Sequence, residues 1–306
     1  MNAIRRPIQS ICCMGEVMIE LVNGRDGNIA QGVAGDTYNT AVYMKRALKD
    51  ADVTVSYCTA LGTDPYSETI RAELTGYGLD TSCIETRADK IPGLYAVDTD
   101  DEGERSFTYW RSDAAVRTLF QAPCEVTFDK LAQFDLIYLS GISMAILSPA
   151  IRAQLIDFIA TFRAGGGTFA YDSNYRPRLW DSQATAQAVN TQMWKLSDIS
   201  LPSIDDEMEL FGDDTESAVL DRLDSFGVST GALKRGAEGP LDLAGNVVAE
   251  NLNSVEKVID STAAGDSFNA GYLAAYIQGQ STQHQMEAGH NLAAKVITYP
   301  GAIIPD

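Results

Sequence analysis

Asp266 follows three small residues at a point where the sequence changes from a strand pattern, VEKVID, to the apolar spacing of a helix, SFNAGYLAAYIQG. The small residues are Ala263, Ala264 and Gly265, and they would lie at the N-terminus of that helix. Unpaired N–H groups and the positive end of the helix dipole converge there, and short side chains let an anion approach the backbone closely. The segment is therefore a candidate anion hole for a phosphoryl group whose charge develops during transfer.

Asp266 itself has two interpretations. A carboxylate in the first turn of a helix, beside an anion hole, can accept the proton of an attacking hydroxyl as a general base. An aspartate near a helix start is also often only a cap, and Ala-Ala-Gly often only a site of tight packing. The segment alone leaves both interpretations open.

The composition limits the partners of the protein. The chain has 306 residues, of which 45% are hydrophobic and 21% charged, which suits one large α/β domain with an appendage. A formal net charge of −19 argues against nucleic acid or an anionic membrane as a partner, because the summed field would repel both. The apolar run near the N-terminus is too short for a signal peptide or a membrane span, so we expect a cytoplasmic protein.

Five cysteines, an odd number, occur without the spacing of a metal site. They are Cys12, Cys13, Cys58, Cys83 and Cys124. We expect free buried thiols in a reducing compartment.

Apolar runs of strand length alternate with segments of helical spacing along most of the chain. The runs include GTFAYDSN, DISLPS and TGALKRG, and the helical segments include SPAIRAQLIDFIATFRAGG. This alternation predicts a mostly parallel sheet with helices on both faces. Gly165 and Gly167 precede a strand rather than a helix, so they indicate a helix C-cap and not a dinucleotide fingerprint.

Residues 18–33 and 93–111 break the alternation and have the pattern of strand pairs, the second with its turn at DDEG. We expect them to form a small β-lid inserted into a single α/β domain that spans residues 1–306. Decorative surface hairpins are the alternative, but both segments carry aromatic and basic residues. An isolated lid sheet has an apolar face and open edges that a second copy would cover, so we expect a homo-oligomer, most simply a dimer.

Ser143, in LSGISMA near the end of a strand, suggests a different class of function. Both histidines, His284 and His290, lie downstream as a serine hydrolase triad requires, but Ala145 replaces the second glycine of the nucleophile elbow. No G-x-x-x-x-G-K-[ST] loop is present, so transfer of phosphate would need another arrangement.

The segment around Asp266 resembles a signature of the ribokinase-like (PfkB) sugar kinases. DSTAAGDSF is similar to the family pattern D-T-x-G-A-G-D-x-F and departs from it at Ser261 and Ala263. Further family motifs follow one another in the expected order: VAGDTYNTA, LGTDPYS, KRGAEG and GAII. The resemblance covers nearly the whole chain and implies a three-layer α/β/α fold with a small β-lid.

A narrower set of segments resembles the 2-keto-3-deoxygluconate kinases of that family. They include PGLYAVDTDDEGERSFTYWRSDAA, LSGISMAILSP and NYRPRLW. The resemblance implies phosphoryl transfer from ATP to 2-keto-3-deoxygluconate, giving the 6-phosphate, with Mg²⁺ accompanying the nucleotide. Another sugar or sugar-acid kinase, the 4-epimeric substrate and a requirement for a monovalent cation stay open, and a non-catalytic sugar-acid sensor is a further alternative.

The resemblance also implies roles for individual residues. Asp266 matches the catalytic base, and the backbone N–H groups of residues 263–265 match its anion hole. The substrate side comprises residues of the first helix, the lid and NYRPRLW: Gly35, Asp36, Asn39, Tyr95, Tyr109, Arg111 and Arg176. The nucleotide side comprises residues of four segments: Asn174, Lys234, Gly236, Gly239, Gly265 and His290.

The metal position is less well matched. The family commonly has N-x-x-E before the nucleotide loop, and here Ile204 replaces the asparagine while Glu207 ends the motif. Glu207 would serve the metal directly or through water, with Asp206 as a competitor.

Several of these residues also have structural explanations. Tyr95 and Tyr109 suit packing within the lid, Arg111 and Arg176 suit surface ion pairs, and a histidine at position 290 can be purely structural. A carboxylate that leaves water, however, needs charge-assisted donors, and the planar fork of arginine supplies them. We therefore expect the two arginines to bind the carboxylate of the substrate.

Overall fold

Two β-sheets and a set of helices make up the protein, which a computed structural model describes over residues 5–24, 27–99 and 105–305. The described strands, in chain order, are β1 Ser10–Met14, β2 Met18–Asn23, β3 Ile29–Ala34, β4 Thr54–Leu61, β5 Ile84–Thr86, β6 Gly93–Thr99, β7 Arg105–Trp110, β8 Leu136–Ser140, β9 Thr168–Asp172, β10 Ile199–Ser200, β11 Ala232–Leu233 and β12 Leu241–Asp242. The helices are α1 Asp36–Ala47, α2 Pro65–Gly76, α3 Phe128–Leu131, α4 Gly141–Ile146, α5 Pro149–Ala164, α6 Gln183–Leu196, α7 Ile204–Phe211, α8 Glu216–Ser225, α9 Ala264–Ile277 and α10 Thr282–Val296. Short 3₁₀ turns cover Ala115–Thr118, Pro177–Leu179 and Gly236–Glu238.

The central sheet has six parallel strands in the order β10-β9-β8-β1-β4-β5. Strand β1 is in the middle, and its Cys12 pairs in register with Ser56 of β4 and Ile137 of β8. Four of its five residues are buried, which is typical of a strand covered on both faces. The predicted mostly parallel α/β sheet is confirmed.

The small sheet has four strands in the order β3-β2-β6-β7. Strand β2 pairs antiparallel with β3 and parallel with β6, and β6 pairs antiparallel with β7. The strands therefore occur where the sequence predicted strand pairs, but the two pairs join side by side into one sheet. The predicted turn at DDEG lies outside the described residues.

Helix ends follow the local sequence. Asp64, Ser148 and Ser182 accept hydrogen bonds from backbone N–H groups of the first turns of α2, α5 and α6. Helix α5 ends at Ala164 with Gly165 as its C-cap residue, and the next residue, Gly166, has a φ of 89°, so the predicted glycine C-cap is confirmed.

Helices α9 and α10 pack with their backbones close together. A Cβ on Gly271 would lie 2.6 Å from the Ala288 carbonyl oxygen, and one on Gly289 would lie 2.8 Å from the Phe268 carbonyl oxygen. Only glycine fits at either position, because the partner in each case is backbone that cannot move aside.

The strand predicted for VEKVID is wrong. Val258 and Ile259 are each 54% exposed, and the backbone of this stretch is irregular apart from hydrogen bonds from Ile259 and Asp260 to the Ile297 carbonyl oxygen. Val258 lines a cavity, so its apolar character reflects a binding surface and not a sheet. The following helix begins at Ala264, earlier than the apolar spacing predicted.

Two other expectations need correction. DISLPS and TGALKRG form strands of only two residues each, β10 and β11. The five cysteines are free thiols as predicted, but Cys124 is partly exposed while the other four are buried. Among the described residues, no helix is long and apolar enough to cross a membrane.

Candidate active site

Two cavities meet at the N-terminus of α9. The first, of about 1000 Å³, lies between the small sheet, the start of α1 and the Pro177–Leu179 turn. The second, of about 620 Å³, lies between residues 234–240, residues 253–268 and α10. Four residues line both cavities: Asn174, Arg176, Thr262 and Asp266. A group bound in one cavity can therefore meet a group bound in the other beside the Asp266 carboxylate.

Asp266 is 8% exposed, and its Oδ2 accepts a hydrogen bond of 2.8 Å from Asn39 Nδ2. Burial raises the pKa of Asp266 well above its ordinary value, and the neighbouring Asp36 raises it further, while the Asn39 hydrogen bond opposes both. A carboxylate whose pKa is raised in a cavity is suited to take up a proton during a reaction.

The predicted anion hole is only partly available. The N–H of Ala264 donates to the Ser261 carbonyl oxygen at 3.1 Å, and Ala263 is 1% exposed and lines neither cavity. Gly265 lines the second cavity, and its N–H makes no hydrogen bond to another described residue. Because the N-cap is an alanine, no side chain occupies the helix end. The N–H of Gly265 is thus an open donor at this end of α9.

The start of α1 forms one wall of the first cavity. A Cβ on Gly35 would overlap the Glu16 carbonyl oxygen, so a glycine is required between β3 and the helix. Asp36 Oδ2 accepts hydrogen bonds from Ser140 Oγ and, at 2.9 Å, from Asn174 Nδ2. Burial raises the pKa of Asp36 and these bonds oppose the rise. The predicted substrate residues of α1 all lie on this wall.

The small sheet forms the opposite wall. Tyr95 is buried, with its hydroxyl donating to Glu20 Oε1 at 2.6 Å, and its ring lies 5.6 Å from that of Tyr109. Tyr109 is 48% exposed, and the Arg111 guanidinium lies 5.6 Å from its ring centroid. All three predicted residues of this sheet line the first cavity.

Four arginines line the first cavity: Arg111, Arg117, Arg176 and Arg178. Arg111 forms an ion pair with Glu16, whose side chain is 2% exposed. Burial raises the pKa of Glu16, and the guanidinium opposes this. The sequence reasoning missed Glu16, although it follows the carboxyl end of β1, where ligands bind in open α/β sheets. It also missed Arg117 and Arg178, although Arg178 lies in NYRPRLW, a segment that carried the resemblance.

Lys234 connects the second cavity to the central sheet. Its Nζ lies 2.6 Å from Asp172 Oδ2, at the end of β9, and 3.1 Å from Asn269 Oδ1. Asn269 Nδ2 in turn donates to the same Asp172 oxygen at 2.6 Å and to the Tyr138 hydroxyl at 3.0 Å. The lysine is therefore fixed in place by buried partners next to the N-terminus of α9.

The glycines after Lys234 have different positions. Gly236, with a φ of 55°, lines the second cavity, whereas Gly239, with a φ of 81°, does not. A Cβ on Gly239 would lie 2.6 Å from Leu252 Cδ1, so this glycine allows the loop to pack. His290 lines the cavity, with Nε2 3.0 Å from the Asn253 carbonyl oxygen. Apolar residues complete the wall: Val255, Val258, Phe268, Ala293, Ala294 and Ile297.

The sequence as a whole matches the pfkB family carbohydrate kinases over residues 8–306. The chain belongs to this family. Its relatives include the 2-dehydro-3-deoxygluconokinase of Escherichia coli K12, which is 43% identical over 303 residues and 97% of each chain. The 2-dehydro-3-deoxygluconokinase of Haemophilus influenzae is 37% identical over 97% of this chain and 96% of its own. The family predicted from the motifs, including the narrower resemblance, is confirmed.

Solved pfkB-type kinases share the fold. The fructokinase of Vibrio cholerae O395 with fructose, ADP and calcium ion bound superposes with a TM-score of 0.83, at 21% identity, over 97% of this chain and 95% of that one. The aminoimidazole riboside kinase of Salmonella enterica, complexed with aminoimidazole riboside and an ATP analogue, gives a TM-score of 0.80 at 21% identity, over 95% and 94%. The predicted ribokinase-like fold is confirmed. As a carbohydrate kinase of this family, the protein binds a sugar and ATP.

Phosphoryl transfer from ATP generally uses divalent metal ions beside the phosphates, and such ions take oxygen ligands. Glu207 is fully buried, lines neither cavity and forms an ion pair of 3.0 Å with Arg222. Burial raises the pKa of Glu207 to about 7. Asp205 and Asp206 do line the second cavity. In the described part of the chain, no three His, Cys, Asp or Glu residues are grouped as a metal site. The carboxylates of Asp205 and Asp206 fit Mg²⁺, which uses one or two carboxylates and takes its other ligands from phosphates and water.

Ser143 does not belong to a hydrolase triad in this kinase. The side chain is 2% exposed, and its Oγ donates to the Met14 carbonyl oxygen at 2.8 Å. His284 Nδ1 lies 2.8 Å from Ser281 Oγ, and His290 lines the second cavity. The serine hydrolase interpretation therefore has no geometric support.

Proposed function

We propose that the protein transfers the γ-phosphoryl group of ATP to the 6-hydroxyl of 2-keto-3-deoxygluconate. The products are ADP and 2-keto-3-deoxy-6-phosphogluconate. One observation carries the proposal: the Asp266 carboxylate lies where a cavity lined by four arginines meets a second cavity with an open helix N-terminus. Relatives named 2-dehydro-3-deoxygluconokinase at 37% to 43% identity support the choice of substrate.

Asp266 acts as the general base in this proposal. The substrate hydroxyl attacks the γ-phosphorus, the new O–P bond forms as the bond to the ADP oxygen breaks, and the hydroxyl proton passes to the carboxylate. The hydrogen bond from Asn39 holds one carboxylate oxygen and leaves the other for the proton. The open Gly265 N–H and the dipole of α9 stabilise the charge on the transferring group.

The sugar acid occupies the first cavity. Its hydroxyls have partners in Asp36 and Asn39, and the aromatic rings of Tyr95 and Tyr109 cover it from the small sheet, which acts as a lid. Arg111 and Arg176 supply charge-assisted donors on two sides. A neutral sugar needs no such cluster of cations, which favours an acid as the substrate.

The nucleotide occupies the second cavity. The apolar wall that includes Ile297, with His290 beside it, suits an adenine ring. Lys234 and Asn174 lie on the side towards Asp266, where the phosphates would be, and Gly236 leaves the backbone open to them. Asp206, with Asp205, would hold Mg²⁺, and a bound Mg²⁺ neutralises phosphate charge. Glu207 would not contact the metal itself. It would act only by helping to hold the neighbouring Asp206 in place.

The assembly and the location of the protein are part of the proposal. The small sheet exposes Ile29 and Trp110, at 62% and 59%, on a four-stranded sheet with open edges. A second copy of the chain would cover them, so we propose a homodimer of single-domain subunits. Free thiols suit a reducing compartment, and we place the reaction in the cytoplasm.

An assay of ADP release tests the function directly. Purified protein should release ADP only when ATP, Mg²⁺ and the sugar acid are all present. A panel of 2-keto-3-deoxygluconate, its 4-epimer, fructose and ribose should give the largest kcat/KM with one of the two acids. Turnover of neutral sugars as fast as of the acids would make the protein a general sugar kinase, and binding of the acid without turnover would make it a sensor.

A further inference from the structure

Asn269 is a fully buried asparagine of α9 that uses both ends of its side-chain amide. Its Nδ2 donates to Asp172 Oδ2 at 2.6 Å and to the Tyr138 hydroxyl at 3.0 Å, and its Oδ1 accepts from Lys234 Nζ at 3.1 Å. Only this orientation of the amide suits its surroundings, because a carboxylate accepts hydrogen bonds and an ammonium donates them. The contacts therefore leave the side chain a single orientation.

Asn269 does not itself reach a bound molecule. It lines neither cavity, so a sugar or a nucleotide in these cavities would not touch it. Its contacts form a triangle with the ion pair between Lys234 and Asp172, whose Nζ–Oδ2 distance is 2.6 Å. An ammonium held by one carboxylate can pivot about that contact, whereas a second acceptor in another direction also fixes where its remaining N–H points. Asn269 therefore sets the orientation of the lysine.

The remaining N–H of Lys234 borders the open end of α9. An ammonium has three donors, and within the described chain two of them are directed at Asp172 and Asn269. Lys234 lines the second cavity, and its Nζ lies 3.6 Å from where a Cβ on Gly265 would be. Gly265 is also the residue with the open backbone N–H. Two donors, one of them charged, thus lie side by side.

One helix supplies most of these groups. Asn269 lies one turn beyond Gly265 on α9, and Asp266 lies between them. The carboxylate, the open N–H and the residue that orients the lysine therefore belong to one rigid element. Charge that develops on a transferring phosphoryl group is stabilised best by donors that already point at it. An ammonium that had to reorient during the reaction would stabilise that charge less.

We infer that Asn269 is a positioning residue for phosphoryl transfer, which aims the Lys234 ammonium, beside the Gly265 N–H, at the γ-phosphoryl group of ATP. The inference rests on the proposed function, because that function places the phosphates at this end of α9. Asn269 acts through Lys234 and not through a contact with substrate. Loss of its amide should accordingly lower kcat and leave the binding of the sugar acid unchanged.

The test compares Asn269→Ala with Asn190→Ala. Asn190 is an equally buried asparagine that accepts a hydrogen bond of 2.7 Å from the Tyr171 hydroxyl, but it lies on α6 and lines neither cavity. Asn269→Ala should lower kcat by about 10- to 100-fold, the loss expected for one charged hydrogen bond. KM for the sugar acid and the Kd for ATP should stay within about threefold of wild type, as for an interaction made in the transition state. Asn190→Ala should lose a similar amount of stability in urea but change kcat by less than about twofold.

A double-mutant cycle distinguishes positioning of the lysine from a structural role. In a Lys234→Met background no ammonium remains to be aimed, so adding Asn269→Ala should change kcat by less than about threefold. Asn269→Ser keeps a hydroxyl at this position and should give an intermediate kcat. It takes the place of the alanine variant in the cycle if that variant does not fold.

Three results would overturn the inference. The first is a normal kcat in the Asn269 variants, and the second is an equal loss of kcat in Asn269→Ala and Asn190→Ala, which indicates a general effect of lost packing. The third is the same loss of kcat from Asn269→Ala whether or not Lys234 is present. A wild type that releases no ADP with the sugar acid would instead refute the proposed function, which distinguishes that failure from the other three.

Discussion

Asn39 Nδ2 donates a hydrogen bond of 2.8 Å to Asp266 Oδ2, joining residues 227 positions apart in the chain. A second bond, from Thr40 Oγ1 to the Asp266 carbonyl oxygen at 3.1 Å, connects the same two helices. The N-termini of α1 and α9 are thereby held together, so the proposed sugar-binding wall stays at a fixed distance from the carboxylate that would take the proton.

Replacing Asp266 with asparagine tests the base. Asn keeps the size of the side chain but cannot accept the proton at the same step, so kcat should fall by about 10²- to 10⁴-fold. The Kd for ATP, measured by calorimetry, should change little, because the nucleotide cavity is otherwise intact. A variant with near-normal kcat would rule out Asp266 as the general base.

Asn39→Ala should alter the pH dependence of the reaction. The Asn39 hydrogen bond holds down a pKa that burial has raised, so its loss should raise the pKa of Asp266 further. Because the base works in its deprotonated form, the acidic limb of the kcat profile should move to higher pH. Thr40→Val is the control, since Thr40 bonds the backbone of Asp266 and not its carboxylate. An unshifted limb in Asn39→Ala would contradict this role.

Arg176→Ala should affect both substrates. Arg176 lines both cavities and pairs with Asp206, a candidate metal ligand, so KM for the sugar acid and KM for ATP should each rise several-fold. Arg111→Ala, one residue after β7, should raise KM for the sugar and leave KM for ATP unchanged, and it should also destabilise the fold because the buried Glu16 loses its partner. Steady-state kinetics with each substrate varied in turn distinguish the two patterns. If both variants change only the KM for the sugar, Arg176 binds the substrate carboxylate and has no part in binding ATP.

Lys234→Met should weaken the fold as well as ATP binding. It removes the partner of Asp172, whose side chain is 4% exposed, and leaves a buried carboxylate unbalanced. Breaking a buried pair in this way costs about 3–5 kcal/mol. Urea unfolding should show this loss, and Asp172→Asn added to Lys234→Met should recover part of it. Equal stability of the single variant and wild type would mean that the pair contributes nothing.

Asp206 and Glu207 should separate into a metal role and a stability role. Asp206→Asn should raise the Mg²⁺ concentration needed for half-maximal activity, whereas Glu207→Gln should not. Burial raises the pKa of Glu207 to about 7 from an ordinary 4.5, so the folded state binds a proton more tightly than the unfolded state. Its contribution to stability should therefore fall as pH rises from 4.5 to about 7, and Glu207→Gln should remove that slope from urea unfolding measured at several pH values. A Mg²⁺ defect in Glu207→Gln would restore its predicted metal role.

The sequence predicted those parts of the fold and site that depend on local rules. The glycine C-cap of α5 and the apolar runs of the buried sheet each have a direct local cause, and each occurs where the pattern indicated. The apolar residues of VEKVID led to a wrong prediction of a strand, because the wall of a cavity and a buried strand are built from the same apolar side chains. The partner of Arg111 could not be predicted, since Glu16 is brought to it by pairing between strands distant in the chain.

Because the backbones of α9 and α10 touch at Gly271 and Gly289, neither helix can slide or tilt without the other. The Asp266 carboxylate on α9 and the cavity wall around His290 on α10 therefore belong to one rigid unit. The small sheet forms the opposite wall of the first cavity, and a single residue, Gly35, connects its strand β3 to α1. A shift of that sheet would displace Gly35, which precedes Asp36 and Asn39, so we expect closure over a sugar and placement of α1 to be coupled.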